Sequence, residues 1–248
     1  MTMRMLLIKG GGIVMKRCHN FVLVVSFFLN GWVIAQTADQ VLENFKAGYK
    51  KSKNFTADFV ETTIHGTNKG TSNGHLSFSK PNLLRQNYFD QENPNKIVQT
   101  IVLDGEFSWS YTPLLNQVNK MTWSNPNRKE LLPGIGFSLE NLETNYNHRL
   151  KGDKLAQERG FYRLELTPKP HLLAQHGNQA TIHEKIELLI DSKNWLPVQF
   201  GYYSTNTNKN NISATITLKN IQRNLPLSAD LFKFTIPKGA EVIDISPE

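Results

Sequence analysis

Asp104-Gly105-Glu106-Phe107-Ser108-Trp109-Ser110-Tyr111-Thr112-Pro113, followed by Leu114-Leu115-Asn116-Gln117-Val118 and then Met121-Thr122-Trp123, decides the class of fold. Asp104-Gly105 is a tight-turn signal. Phe107, Trp109 and Tyr111 alternate with Glu106, Ser108 and Ser110, a period of two that places three rings on one face of a strand. Pro113 cannot donate to a ladder and marks the strand's end or an edge. Val118, Met121 and Trp123 lie on the return run. Two neighbouring strands therefore offer large apolar side chains to the inside of the fold, where they either fill a core or line a hollow.

Working outward, the same period recurs. Upstream, Ile97 to Leu103 is a short apolar strand, and Leu84, Gln86 and Tyr88 make another. Leu76 and Phe78 form a strand interrupted by Lys80-Pro81-Asn82. Gly66 to Gly74 is a polar, turn-rich connection. Phe55, Ala57 and Phe59 alternate with Thr56, Asp58 and Val60 in a strand reaching about Ile64. Before it, Thr37 to Lys51 reads as an amphipathic helix with Asp39 as N-cap and Val41, Leu42, Phe45 and Tyr49 on one face. Downstream, Arg128 to Tyr146 crowds Leu131, Leu132, Ile135, Phe137, Leu139 and Leu142 among Pro133-Gly134 and Gly136. That spacing predicts one or two short helices broken at Pro-Gly. Strands return at Tyr146–Leu150, Phe161–Thr167, Ile182–Asp191, Leu196–Ser204 and Asn211–Leu218, and Phe232, Phe234 and Ile236 precede Pro237-Lys238-Gly239. The pattern is mainly β, an antiparallel barrel or half-barrel of about 10–11 strands with helices against it.

The first 35 residues stand apart. Lys16 and Arg17 precede the apolar run Phe21 to Leu29, and Val33-Ile34-Ala35 ends it. This is the pattern of a secretory signal peptide removed after Ala35, leaving one domain over residues 36–248. Met15 is an alternative start. The run is short for a membrane span. The leader carries four of the basic residues and no acid, so the net charge falls from +7 to +3 in the remainder, 24 basic residues against 21 acidic. That balance does not point to nucleic acid. Cys18, the single cysteine, lies within the leader and ahead of the apolar run. The mature chain then has neither a disulfide nor a thiol for a lipid anchor, and rests on its core.

Signals for catalysis are weak. Gly70-Thr71-Ser72-Asn73-Gly74 matches a nucleophile-elbow pattern, but it sits between two strands and not on a strand-to-helix turn. His171, His176 and His183 lack metal-ligand spacing and read as surface histidines. Asp58 and Glu61 point to opposite faces of one strand, as do Glu184 and Glu187. There is no phosphate loop or dinucleotide fingerprint. The Leu131 to Leu142 stretch, apolar yet broken by Gly and Pro, suits either a movable flap or a fixed plug.

Several stretches resemble the periplasmic outer-membrane lipoprotein carrier family, LolA. They are Asn54-Phe55-Thr56-Ala57-Asp58-Phe59, Gly74-His75-Leu76-Ser77-Phe78-Ser79-Lys80-Pro81-Asn82-Leu83, Asp104-Gly105 through Thr112-Pro113, Leu164 to Lys169, and Phe232 to Val242. The resemblance implies an incomplete antiparallel β-barrel capped by an N-terminal helix and a helical lid insertion, enclosing an apolar cavity for acyl chains. It implies a non-enzymatic periplasmic chaperone without cofactor or metal, acting as a monomer. Such carriers take lipoproteins from an inner-membrane ABC-type releasing complex and pass them to an outer-membrane lipoprotein receptor. The expected cavity residues are Phe78, Phe107, Trp109, Tyr111, Met121, Trp123, Leu132, Phe137 and Leu139. The family usually has an arginine that latches the lid where this chain has Lys80, which lacks the planar fork. A carrier or sensor of another amphiphile, a glycolipid among them, is the alternative on the same scaffold. A solid, fully interlocked interior with Trp109 and Trp123 pointing into water would remove the transport reading.

Overall fold

The computed structural model describes residues 36–123, 139–171, 184–205 and 211–246. The leader expected over residues 1–35 therefore lies outside the described residues. Helix α1 spans Ala38–Lys51. Its N-cap is Thr37 rather than Asp39: the Thr37 hydroxyl accepts from the Gln40 amide at 3.2 Å, and the Gln40 side chain accepts from the Thr37 amide at 2.9 Å. This reciprocal box satisfies two donors that have no partner within the helix. Asp39 sits in the first turn, where its carboxylate meets His148 Nε2 at 2.7 Å.

Twelve strands follow among the described residues. They are β1 Asn54–His65, β2 Asn68–Ser79, β3 Leu83–Phe89, β4 Ile97–Leu103, β5 Phe107–Thr112, β6 Gln117–Thr122, β7 Tyr146–Leu150, β8 Phe161–Pro168, β9 Lys185–Asp191, β10 Leu196–Thr205, β11 Asn211–Arg223 and β12 Glu241–Asp244. Two short helices, α2 Leu139–Asn145 and α3 Lys154–Glu158, flank β7. The strands form a single sheet in the order β12-β6-β5-β4-β3-β2-β1-β11-β10-β9-β8-β7. Its end strands β12 and β7 are not paired with each other, so the sheet is open and does not close into a barrel. All neighbours are antiparallel except β12, which runs parallel to β6. Four exposed residues are too few to show a period, and β12 escaped the sequence pattern for that reason.

The expected polar connection over Gly66 to Gly74 is in fact mostly strand. Only Gly66 and Thr67 turn, with Gly66 at φ 62°, and β1 and β2 pair in unbroken register from Asn54↔Ser79 to His65↔Asn68. The far end of this hairpin is exposed, so neither face selects apolar residues and the two-residue turn sets the register instead.

The register assigns every side chain to one of two faces. Phe55, Ala57 and Phe59 share a face with Phe78 and Leu76, then with Leu84 and Leu103 across β3 and β4. On the other flank that face continues through Leu218, Phe200, Leu188 and Leu164. Helix α1 packs onto it with Val41, Leu42, Phe45 and Tyr49. Leu142 of α2 joins this core and is fully buried.

Candidate functional site

Coverage of the α1 face is uneven. Under the helix, Leu164, Leu166, Ile186, Leu188 and Ile190 are at most 1% exposed. Across β3 every residue is half-buried, and so are Ile101 of β4 and Met121 of β6. Leu84, Tyr88 and Trp123 pack against the core from its edge while keeping part of their surface open. An apolar strip thus runs from the buried Phe55, Phe78 and Leu103 out to Leu84, Met121 and Trp123. Such a surface is a candidate for covering by something apolar.

This arrangement divides the expected cavity residues. Phe78 is fully buried in the core, Met121 lies opposite Ser108 on the α1 face, and Trp123 packs beside that core. Phe107, Trp109 and Tyr111 do not join them. Trp109 pairs with Val102 and Tyr111 with Thr100, whereas Ser108 and Ser110 pair with Leu103 and Ile101. The three rings therefore stand on the opposite face of the sheet, contrary to the expectation of one shared hollow. There they build a second small core. Trp109 stacks on Phe234 with centroids 5.3 Å apart, Tyr111 approaches the same ring at 6.4 Å, and Val102 and Val118 are fully buried. Trp109 Nε1 donates to Asp104 Oδ2 at 2.7 Å, and the Lys120 ammonium sits 4.0 Å over the Phe107 ring. Trp109 is half-buried and partnered, not turned out into water. Leu132 and Phe137 lie outside the described residues, as does the side chain of Leu139.

Lys80 follows β2 and reaches α1. Its Nζ donates to the Tyr49 carbonyl at 2.7 Å and lies 3.9 Å over the Tyr49 ring. A cation at a helix C-terminus suits both the orphan carbonyls and the dipole. The lid to which the family resemblance tied this residue is outside the described residues.

Where the apolar strip meets the open end of β1, polar groups take over. Glu61 is on the α1 face, one alternation beyond Phe59, and is half-buried. Tyr88 donates from its hydroxyl to Glu61 Oε2 at 2.8 Å, and Gln86 Nε2 donates to the Tyr88 oxygen at 2.9 Å. Burial first, then the Glu61 charge, push the Tyr88 hydroxyl well above the ordinary tyrosine range. The Tyr88 ring meets Phe59 edge-on at 5.1 Å. Both rings stand beside Gly74, where a Cβ would strike the Phe59 ring and the Asn87 carbonyl. Along β4 to β6 the same face carries Gln99 bonded to Ser110 at 3.1 Å, and Gln117 bonded to Asn119 at 2.9 Å. The sequence reading left this rim unassigned, although extending the alternation of Phe55, Ala57 and Phe59 by one step reaches Glu61.

The rival chemistries are placed as follows. Ser72 lies within β2 on the α1 face, while His75 is on the far face, held by Asp58 at 2.9 Å. His171 is exposed and meets Asn145 Oδ1 at 3.2 Å; His176 and His183 lie outside the described residues. Among the described residues no three His, Cys, Asp or Glu side chains cluster as a metal site, and no helix is long and apolar enough to cross a membrane. On the far face of β8 and β9, Glu165 and Glu187 are directly opposite one another and nearly buried. Four bases surround them: Arg149 at 2.6 Å from Glu165, and Lys185, Lys151 and Arg163 at 3.0, 3.1 and 3.6 Å from Glu187.

A family model described as outer membrane lipoprotein carrier protein LolA matches residues 50–235. An outer-membrane lipoprotein carrier protein of Cupriavidus taiwanensis is 27% identical over 219 residues, covering 84% of this chain and 88% of that protein. An uncharacterized protein of Methanocaldococcus jannaschii is 26% identical over 221 residues; the match takes in 89% of this chain but 58% of the relative's length. Among solved structures, a LolA superfamily protein of Nitrosomonas europaea aligns with a TM-score of 0.40 at 13% identity, over 81% of this chain and 99% of that one.

Proposed function

The chain belongs to the outer membrane lipoprotein carrier protein LolA family, and from that premise we propose that it is a periplasmic carrier holding lipoprotein acyl chains against the α1 face of β1 to β6. One observation carries the reading: the half-buried strip of Leu84, Ile101, Met121 and Trp123, continuous with a closed core. A family of carriers gives that strip an occupant. Each methylene withdrawn from water contributes about 0.8 kcal/mol, so two or three acyl chains supply ample affinity. Half-open rather than sealed apolar side chains let the cargo enter and leave without unfolding the core. A leader of secretory pattern over residues 1–35 supports an exchange in the periplasm, with an ABC-type releasing complex as the proposed donor and an outer-membrane receptor as the proposed acceptor.

Leu84→Glu tests it. Purified full-length mature protein is mixed with a detergent-dispersed lipoprotein, and the complex is recovered by size exclusion. A carboxylate forced against alkyl chains is expected to lower capture on the order of tenfold or more. Trp109→Ala, on the opposite face, is expected to leave capture unchanged. Equal capture by Leu84→Glu and the wild type overturns the placement.

A further inference from the structure

Glu61 is an anomaly on the α1 face. The nearly buried carboxylates Glu165 and Glu187 are held by four bases, whereas Glu61 is half-buried. Glu61 forms no ion pair with any Lys, Arg or His among the described residues, and its one hydrogen bond there is the Tyr88 hydroxyl on Oε2. The donor chain from Gln86 to Tyr88 to Glu61 is directional. It spends the tyrosine's proton on the carboxylate and leaves Oε1 as an acceptor on the α1 face. Tyr202 also feels that charge: burial first and Glu61 second push its hydroxyl up. A negative centre is therefore fixed at the boundary where Phe59 ends the apolar surface and exposed Thr63 begins the polar one. Open to water, it is tolerable. Once alkyl chains cover the neighbouring strip, an uncompensated carboxylate becomes costly unless the incoming ligand supplies a counter-ion.

We infer that Glu61, positioned by Tyr88 and Gln86, is a headgroup subsite for a protonated primary amine carried beside the acyl chains. This rests on the carrier reading above and names the polar end of the same cargo. The chemistry fits the α-ammonium of a lipoprotein whose first residue is not N-acylated, and equally the ammonium of a free aminolipid. An ammonium answers both demands at once, because it brings positive charge and three donors, one of which meets Oε1. A neutral amide or hydroxyl brings a donor without charge, and a phosphate or carboxylate head meets repulsion.

The test uses two synthetic lipopeptides with the same two acyl chains and the same peptide, one with a free α-amine and one N-acetylated. Each displaces a fluorescent fatty-acid probe from the full-length mature protein, with phosphatidylethanolamine and its N-acetylated form as the free-lipid arm. The wild type is expected to prefer the free amine about tenfold, the scale of one charge-assisted contact. Glu61→Gln keeps the shape and an acceptor for Tyr88; it is expected to erase the preference, the N-acetylated lipopeptide binding it at least as tightly as it binds the wild type because the uncompensated charge is gone. A preference confined to the lipopeptide pair assigns the subsite to lipoprotein; one shared by both pairs assigns it to primary amines generally. Equal binding of both lipopeptides by the wild type, or a preference that survives in Glu61→Gln, overturns the subsite and leaves the carrier reading standing. Failure of both lipopeptides to displace the probe overturns the carrier reading and the subsite with it.

Discussion

The two wings of the sheet present the same face to the same side, yet they are built for different ends. On β7 to β10 that face reads Leu164, Leu166, Ile186, Leu188 and Phe200, and α1 covers it with Val41, Leu42, Phe45 and Tyr49. On β3 to β6 it reads Leu84, Gln86, Tyr88, Gln99, Ile101, Leu103, Ser108, Ser110, Gln117, Asn119 and Met121, and apart from the buried Leu103 it is only half-buried. A surface kept permanently dry excludes side chains whose donors and acceptors lack partners. A surface that exchanges water for cargo tolerates them, provided that they pair locally, as Gln99 does with Ser110 and Gln117 with Asn119. The helix-covered wing therefore carries the larger share of the buried core, and the second wing is the one proposed to bind.

The hardest blow to that division is a cavity under α1. Leu188→Ala is expected to cost about 2–5 kcal/mol, because close-packed neighbours recover little of the lost volume. Urea unfolding gives the loss, and the folded fraction should retain acyl-chain affinity. A large drop in affinity with little loss of stability would show that the helix-covered wing takes part in binding. Trp109→Ala comes next. Its ring is half-buried and stacks on Phe234, so a loss of about 2–3 kcal/mol is expected, below the cost of a fully buried ring. It too should leave acyl-chain affinity alone. Loss of affinity without loss of stability would return the aromatic rings to the cargo.

Trp109 also shows what could be read from the sequence and what could not. Period two correctly put Phe107, Trp109 and Tyr111 on one face. It could not say which face carries α1, because alternation is symmetric and both faces of this wing are partly covered. The deciding contact joins Trp109 to Phe234, far along the chain, and nothing local encodes it. Elements held by their own residues were legible: α1 from Val41, Leu42, Phe45 and Tyr49, β1 from Phe55, Ala57 and Phe59. Where solvent bathes both faces, as at the far end of β2, there is no apolar signal, and the sequence pattern does not distinguish strand from loop. Helix α3 was missed because it is short and buries none of its side chains. The apolar strip was partly legible in Phe78, Met121 and Trp123, whereas the polar rim was not, since Glu61 acquires its meaning from Tyr88 on another strand.

The far face of the first wing offers a gentler probe. Burial works to raise the Glu187 carboxyl, but the hydrogen bonds from Lys185 and Lys151 overcome it and hold its pKa below the ordinary 4.5. With a folded pKa below the unfolded one, Glu187 contributes stability above that range and loses it as pH falls through the folded value. Its flanking bases are partly solvated, so the contribution is expected to be about 1 kcal/mol or less. Urea midpoints measured from neutral pH down to about pH 3 should fall more steeply for the wild type than for Glu187→Gln. Parallel curves would mean that the cluster is electrostatically silent.

A further effect of comparable size is expected at Lys80, which joins the end of β2 to the last turn of α1 and so links the wing proposed to bind to the helix that seals the other. Lys80→Met keeps the apolar stem and removes the ammonium from the Tyr49 carbonyl and ring. One charge-assisted bond and one cation–π contact, both partly solvated, are together worth about 1 kcal/mol. The Ser52 amide still donates to the Tyr49 carbonyl at 3.0 Å, which limits the loss. A modest drop in urea midpoint with unaltered release of bound acyl chains is expected if the tether to α1 is the residue's work. Unchanged stability with faster or slower release would instead assign Lys80 to the control of cargo, and the division between a sealed wing and an open one would have to run through this lysine.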